Sequence, residues 1–128
     1  MITVHNNDIA PLTWLDLWGK HENVEYVLRM FSEKKLLDWF ALYKIYETIR
    51  DDPRHKEENT EGKANIIRWT SEDENESFFQ TANWYRHSDF GKNKGRPNAK
   101  PSKEMSLGEG NHFIRGLIYH WLEWKQNE

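Results

Sequence analysis

The stretch Asn83-Trp84-Tyr85-Arg86-His87 places a guanidinium beside an imidazole. Arg86 would supply a fixed positive charge and His87 a group that titrates near neutral pH, which together could hold a phosphate and move a proton beside it. The alternative is that Trp84 and Tyr85 pack in the core, while Arg86 and His87 face water or pair with nearby carboxylates. The residue types leave both interpretations open.

A basic segment begins at this pair. Positions 86–103 hold six basic residues and one acid, for a local charge of +5, whereas the whole chain carries −3. Lysines beside aromatic rings suit single-stranded nucleic acid, so we predict that phosphates of RNA or of a nucleotide bind here. The predicted phosphate-binding residues are Asn83, Lys92, Lys94, Arg96 and Lys100. The alternative is a polar connection whose charge balances the acidic region 51–80, which is net −5.

Glu47 is a third candidate, because it is a carboxylate within a very apolar run. It could form an ion pair with Arg50 three residues later, or it could meet Arg86 or His87 from elsewhere in the fold. A meeting with Arg86 and His87 would favour a catalytic set made of these three residues.

Metal and cofactor chemistry finds little support in the sequence. There is no glycine-rich nucleotide loop, P-loop, HExxH or GxSxG motif and no cysteine, and the six histidines are scattered. His112 and His120 are eight residues apart, so they would lie two helical turns from each other. We therefore expect no metal site and no cofactor.

The hydrophobic pattern predicts a mainly α, single-domain bundle of four to five helices spanning residues 1–128, with a short N-terminal β element at Ile2 and Val4. The central helix is predicted at about 38–51, between a capping aspartate at 38 and a proline at 53. The last helix is predicted at about 106–125.

Three further segments complete the prediction. The run ENVEYVLRMF favours a helix, and ANIIRW favours a short buried helical turn. Ser71 and Glu74 have capping-box spacing, which predicts a helix from about Glu72 to Ala82.

Several features that the sequence lacks predict the environment of the protein. There is no cysteine, no basic leader with an apolar run, and no stretch of about 18–20 apolar residues. We expect a soluble cytoplasmic protein without a membrane partner.

Several blocks resemble a group of small, uncharacterised bacterial proteins. They are LYKIYETIRDD, TAN at 81–83, RH at 86–87 and PSKEMSLGEGNHFIRGLIYHWL, and the resemblance covers about residues 36–122. It implies an all-helical domain from a prokaryote or phage, and it implies no activity.

A more distant resemblance is to the HEPN superfamily, whose helical domains often act as metal-independent RNases in toxin–antitoxin and phage-defence systems. Its motif is Arg, four to six residues, then His. Arg50 to His55 matches it across Pro53, and Arg115 to His120 matches it inside a helix, where the two side chains would point to different faces. This resemblance implies Arg50 and His55 as a rival catalytic pair.

Two functions are thus compatible with the sequence. The first is a nucleic-acid-directed or nucleotide-directed protein, with RNA cleavage by a HEPN-like mechanism as its catalytic form. The second is a non-catalytic interaction module, whose acidic region and basic segment dock a protein partner or another copy of the chain.

Overall fold

The computed structural model describes residues 17, 19–33, 36–55, 58–86 and 101–126. Five α-helices and no strand are present in these ranges: α1 Glu22–Glu33, α2 Trp39–Arg50, α3 Glu58–Trp69, α4 Glu72–Arg86 and α5 Leu107–Gln126. The predicted mainly α bundle is confirmed. The predicted β element at Ile2 and Val4 lies outside the described residues.

The helix α2 is central, because it packs against each of the other four helices. Half of its twelve residues are buried, and the Leu42, Ile45 and Ile49 side chains are wholly inaccessible to solvent. Burial of one such side chain stabilises the fold by about 1.5–3 kcal/mol. The apolar stripe predicted for the last helix faces α2 and completes the core, with Leu117 and Trp121 fully buried.

Side-chain caps start three of the helices where the sequence predicts. The Asp38 carboxylate accepts a hydrogen bond of 2.9 Å from the backbone N–H three residues later, at the start of α2. At the start of α4, the Glu74 backbone N–H donates to the Ser71 hydroxyl at 3.1 Å, which is one of the two hydrogen bonds of a capping box. Ser106 and Glu109 form both bonds of the box before α5, at 2.8 and 3.1 Å. These bonds satisfy backbone N–H groups that have no partner within the helix.

The helix α4 is one turn longer than predicted, since it continues past Ala82 to Arg86. Tertiary contacts stabilise the added turn. The Tyr85 ring stacks on Trp39 with a centroid distance of 5.8 Å and an interplanar angle of 4°, and the Tyr85 hydroxyl donates to Glu104. Asn83 therefore lies inside the helix.

The helix α3 is also longer than the single turn predicted at ANIIRW, because it begins at Glu58. Gly62 lowers the intrinsic helix propensity of this segment. Its role is steric: a Cβ at this position would lie 1.9 Å from the backbone carbonyl oxygen of Arg50. The glycine thus permits the close approach of α3 to the end of α2.

None of the helices that the structure describes is both long enough and apolar enough to span a membrane.

Candidate functional site

The predicted Arg86 lies where α4 packs beside α2. Aromatic contacts set the spacing of the two helices, including Tyr43 with Phe79 at 6.1 Å between ring centroids. The Arg86 Cζ atom lies 3.8 Å from the centroid of the Tyr43 ring, and its Nη1 donates to Asn83 Oδ1 at 3.2 Å. We refer to Tyr43, Glu47, Phe79, Asn83 and Arg86 as the α2/α4 face.

Asn83 and Arg86 meet because α4 continues to residue 86. Residues three apart on a helix lie on the same side, so the added turn brings the amide oxygen to the guanidinium. The Tyr43 ring below it favours the cation through the negative potential of its face. The guanidinium is therefore positioned by contacts on both helices.

Glu47 lies next to Arg50, as the ion-pair alternative predicted, with 4.0 Å between Glu47 Oε2 and Arg50 Nη2. Arg50 also makes two hydrogen bonds to Asp51, of 2.9 and 3.1 Å. The hydrogen bond to Asp51 raises the pKa of the Arg50 guanidinium, against the opposing effect of burial. No contact in the described part of the chain joins Glu47 to Arg86, although Glu47 is one helical turn after the Tyr43 ring that carries Arg86.

Tyr46 lies beneath the α2/α4 face and is buried. Its hydroxyl donates to Asn75 Oδ1 at 2.7 Å. Burial raises the pKa of Tyr46 to about 12, so its hydroxyl stays protonated at neutral pH and supports packing rather than proton transfer.

Five predicted residues, His87, Lys92, Lys94, Arg96 and Lys100, lie outside the described residues, so their roles stay predictions. The chain on either side of them is attached to α4. At the far end of the segment, the Ser77 hydroxyl donates to the Lys103 carbonyl at 2.6 Å, and two residues later the Met105 N–H donates to Thr81 Oγ1 at 3.0 Å. Both described ends of the basic segment therefore lie at α4.

The rival residue His55 is buried, with 3% of its surface exposed. Its Nε2 lies 3.0 Å from the Ile49 carbonyl oxygen and its Nδ1 lies 3.0 Å from Asn65 Nδ2. Nε2–H donates to the carbonyl and Nδ1 accepts from the amide, which specifies one neutral tautomer. The ring also stacks on Trp124 at 4.6 Å. Both nitrogens are engaged, so this arrangement favours a packing role over proton transfer to a bound substrate.

Sequence reasoning missed a buried polar network around Asp52, which is 1% exposed. Its Oδ2 accepts from Lys125 Nζ at 2.7 Å, from Trp121 Nε1 at 2.8 Å and from Asn23 Nδ2 at 3.1 Å. Its Oδ1 accepts from the Arg54 backbone N–H at 2.9 Å. Burial by itself would raise the pKa of Asp52, but the hydrogen bonds from Lys125, Arg54 and Trp121 and the charge of Lys125 together lower it below the ordinary value of 3.8.

One sequence signal could have found this network. Lys125 follows Trp121 by four residues, so it continues the buried stripe of α5. A lysine on an apolar stripe needs a buried partner or a path to solvent. The identity of that partner had no local signal, because Asp51 and Asp52 are adjacent residues of the same type.

The Asp52–Lys125 pair lies at an open cleft of about 720 Å³. The residues that line it come from α1 and the residues before it, from the end of α2 and the turn after it, and from α5, and they include Lys20, Asn23, Tyr26, Thr48, Arg54 and Lys125. A second cleft, of about 480 Å³, lies at the starts of α4 and α5 and is lined by carboxylates such as Glu74 and Glu109. Within the described ranges, no group of histidine and carboxylate side chains is arranged to hold a metal ion.

Comparisons with protein-family models, curated proteins and solved structures found no match to this chain. The resemblances to a bacterial protein group and to the HEPN superfamily therefore stay predictions.

Proposed function

We propose that this protein binds single-stranded nucleic acid, RNA in particular, through the α2/α4 face and the basic segment 86–103. The observation that carries the proposal is the position of Arg86. Its guanidinium rests on Tyr43 and is oriented by Asn83, at the residue where the basic segment begins.

The chemistry of the face suits a nucleotide. A guanidinium that is already oriented can donate two parallel hydrogen bonds to a phosphate with less loss of side-chain entropy than a mobile one. Of its five N–H donors, one is used in the described bond to Asn83. Phe79 is 38% exposed on the same face, and an exposed ring can stack on a base of any sequence.

The attachment of the basic segment to α4 supports the same function. Its first residue is Arg86, and the chain after it returns to α4 at Ser77 and Thr81. Both described ends of the segment are thereby held at α4, so we propose that its lysines bind phosphates of the same RNA strand. That arrangement would add phosphate contacts to those of Arg86.

RNA cleavage is the catalytic extension of this proposal, and His87 is its candidate proton carrier. It follows Arg86 directly in the sequence, whereas both ring nitrogens of the rival His55 are engaged. Metal-independent cleavage requires a histidine near the ribose 2′-hydroxyl and a cation near the phosphate.

The test is the binding of fluorescently labelled single-stranded RNA, measured by anisotropy over a salt series in the presence of a chelator. Binding to single strands should weaken with salt, with a slope of log K against log salt of about −0.7 for each phosphate contacted. Arg86→Gln should make the slope less negative by about 0.7. Arg115→Gln is the matched control, because Arg115 also lies over an aromatic ring, Phe31, but belongs to α5.

The stacking contribution has its own matched pair of variants. Phe79→Ala should weaken binding by about 1–3 kcal/mol. Tyr119→Ala removes an exposed ring from α5 and should leave binding unchanged. The absence of binding at low salt, or equal losses in the Arg86 and Arg115 variants, would refute the proposal and favour the interaction module. Cleavage that is lost in His87→Ala while binding persists would support the RNase extension.

A further inference from the structure

Among the described residues, the buried ammonium of Lys125 has one hydrogen-bond acceptor and also lies 5.5 Å from the centroid of the Trp121 ring. A lysine has three N–H donors, and among the described residues the only acceptor for them is Asp52 Oδ2. The side chain is 2% exposed and borders the cleft, so one remaining donor can face the Trp121 ring and the other can face a molecule in the cleft. A buried donor without an acceptor is unfavourable, which makes it an indication of a bound partner.

Asp52 is, in contrast, extensively paired among the described residues, with three hydrogen bonds at Oδ2 and one at Oδ1. Its two carboxylate oxygens accept four hydrogen bonds, from three side chains and one backbone N–H. Two carboxylate oxygens offer about four acceptor positions in total. Oδ2 is therefore fully occupied and only Oδ1 keeps one acceptor position, so Asp52 offers a cationic ligand less than Lys125 offers an acceptor oxygen.

The remainder of the cleft has the charge and the volume for a small anion. Three lining cations, Lys20, Arg54 and Lys125, exceed the two lining carboxylates, Glu22 and Asp52. The volume of about 720 Å³ is within the range of small-molecule sites. Tyr26 adds an exposed ring at the cleft wall.

We propose that this cleft is a binding site for a small organic anion, whose phosphate or carboxylate oxygen accepts hydrogen bonds from Lys125. Lys20 and Arg54 complement its charge, and the Tyr26 ring contacts its organic part. This site is separate from the α2/α4 face, because none of its lining residues belongs to that face. Anion binding at this cleft can therefore be tested independently of RNA binding at the α2/α4 face.

The test is isothermal titration calorimetry of the full chain with four probes. Inorganic phosphate, a nucleoside 5′-monophosphate and citrate represent the two sources of an anionic oxygen, and the corresponding uncharged nucleoside is the neutral probe. We expect one of the organic anions to bind more tightly than inorganic phosphate. The neutral nucleoside should not bind measurably.

Variants identify the site. Lys125→Met should weaken anion binding by more than about tenfold, since a charge-assisted hydrogen bond is lost. The double variant Asp52→Asn/Lys125→Met removes both charges and should show the same loss, which serves if the single variant does not fold. Exposed residues give variants with little risk to folding: Lys20→Gln should weaken binding about two- to fivefold.

Tyr26→Ala is compared with Tyr119→Ala, and Lys20→Gln with Lys63→Gln, because both control residues are exposed and do not line the cleft. Anion binding that persists unchanged in the Lys125 variants, or that weakens equally in the controls, would overturn the proposal. So would the failure of all three anions to bind at millimolar concentration. A chain that binds an anion but no RNA would support this site and refute the proposed function alone.

Discussion

Removal of the Asp52 carboxylate should destabilise the fold more than removal of the Lys125 ammonium. In Asp52→Ala, the Lys125 ammonium loses its only described acceptor and the donors of Asn23, Trp121 and the Arg54 backbone lose theirs. Loss of either partner of a buried ion pair costs about 3–5 kcal/mol, and we expect Asp52→Ala to lie at the upper end of this range because three further donors lose their acceptor. That is a large part of the roughly 5–15 kcal/mol typical of a domain.

Lys125→Met keeps a side chain of similar length and leaves Asp52 with three of its four donors. A carboxylate hydrogen bond contributes about 1.5–3 kcal/mol, so the loss of one bond should cost less than the loss of four. We expect Lys125→Met to be less destabilising than Asp52→Ala by at least about 1 kcal/mol. The difference follows from the unequal numbers of partners on the two sides of the ion pair.

The assay is urea unfolding followed by tryptophan fluorescence, because Trp121 belongs to the network. With an m-value of about 2 kcal/mol per M, a loss of about 4 kcal/mol lowers the urea midpoint by about 2 M. Asp51→Ala is the matched control: it makes the same chemical change one residue away, where the carboxylate is 48% exposed and pairs with Arg50. An exposed pair contributes about 0–1 kcal/mol.

Two results would refute this reasoning. One is an Asp52→Ala midpoint within experimental error of the Asp51→Ala midpoint, which would mean that the network contributes nothing to stability. The other is a Lys125→Met variant that is less stable than Asp52→Ala. That order would mean that the carboxylate depends on the ammonium more than on its other three donors.

Three further predictions concern pH and packing. The pKa of Asp52 in the folded state is below 3.8, so the ionised carboxylate stabilises the fold fully above that pH and loses this effect as the pH falls through the folded-state pKa. The urea midpoints of wild type and Asp52→Ala should therefore converge below pH 3.8. Gly62→Ala should lower the free energy of unfolding by about 1–3 kcal/mol, because its Cβ would meet a backbone carbonyl of α2. Gly116→Ala has open space around it and should raise the free energy of unfolding by about 0.5–1 kcal/mol. Melting temperatures of the two variants that shift in the same direction would contradict this prediction. Asn111→Ala should lower the free energy of unfolding in urea by about 2 kcal/mol or more. The reason is that the Asn111 side chain accepts a hydrogen bond from the Leu37 N–H and donates one to the Leu37 carbonyl, both at 2.9 Å. An unchanged urea midpoint would show that these backbone groups find other partners.

The helix starts at Asp38, Ser71 and Ser106 could be predicted because a cap is a local interaction between residues three apart. The end of α4 could not, because the turn that carries Arg86 is stabilised by Tyr85 packing on Trp39, across 46 residues of sequence.

The candidate residues separate in the same way. The residue types of the Asn83–Arg86 stretch predict a phosphate-binding group from the sequence alone. The contact of Arg86 with Tyr43, in contrast, depends on how α2 and α4 pack. His55 matched a sequence motif, and only its surroundings showed that the Ile49 carbonyl and the Asn65 amide engage both of its ring nitrogens.

The sequence by itself determined the helical class, the central position of α2 and the concentration of positive charge after Arg86, since periodicity, caps and composition are properties of nearby residues. Only the tertiary structure decided which of the adjacent Asp51 and Asp52 is buried. Both precede the same proline, but Asp52 accepts hydrogen bonds from Asn23 of α1 and Lys125 of α5, which are 29 and 73 residues away. No local pattern records contacts that form only when distant helices pack together.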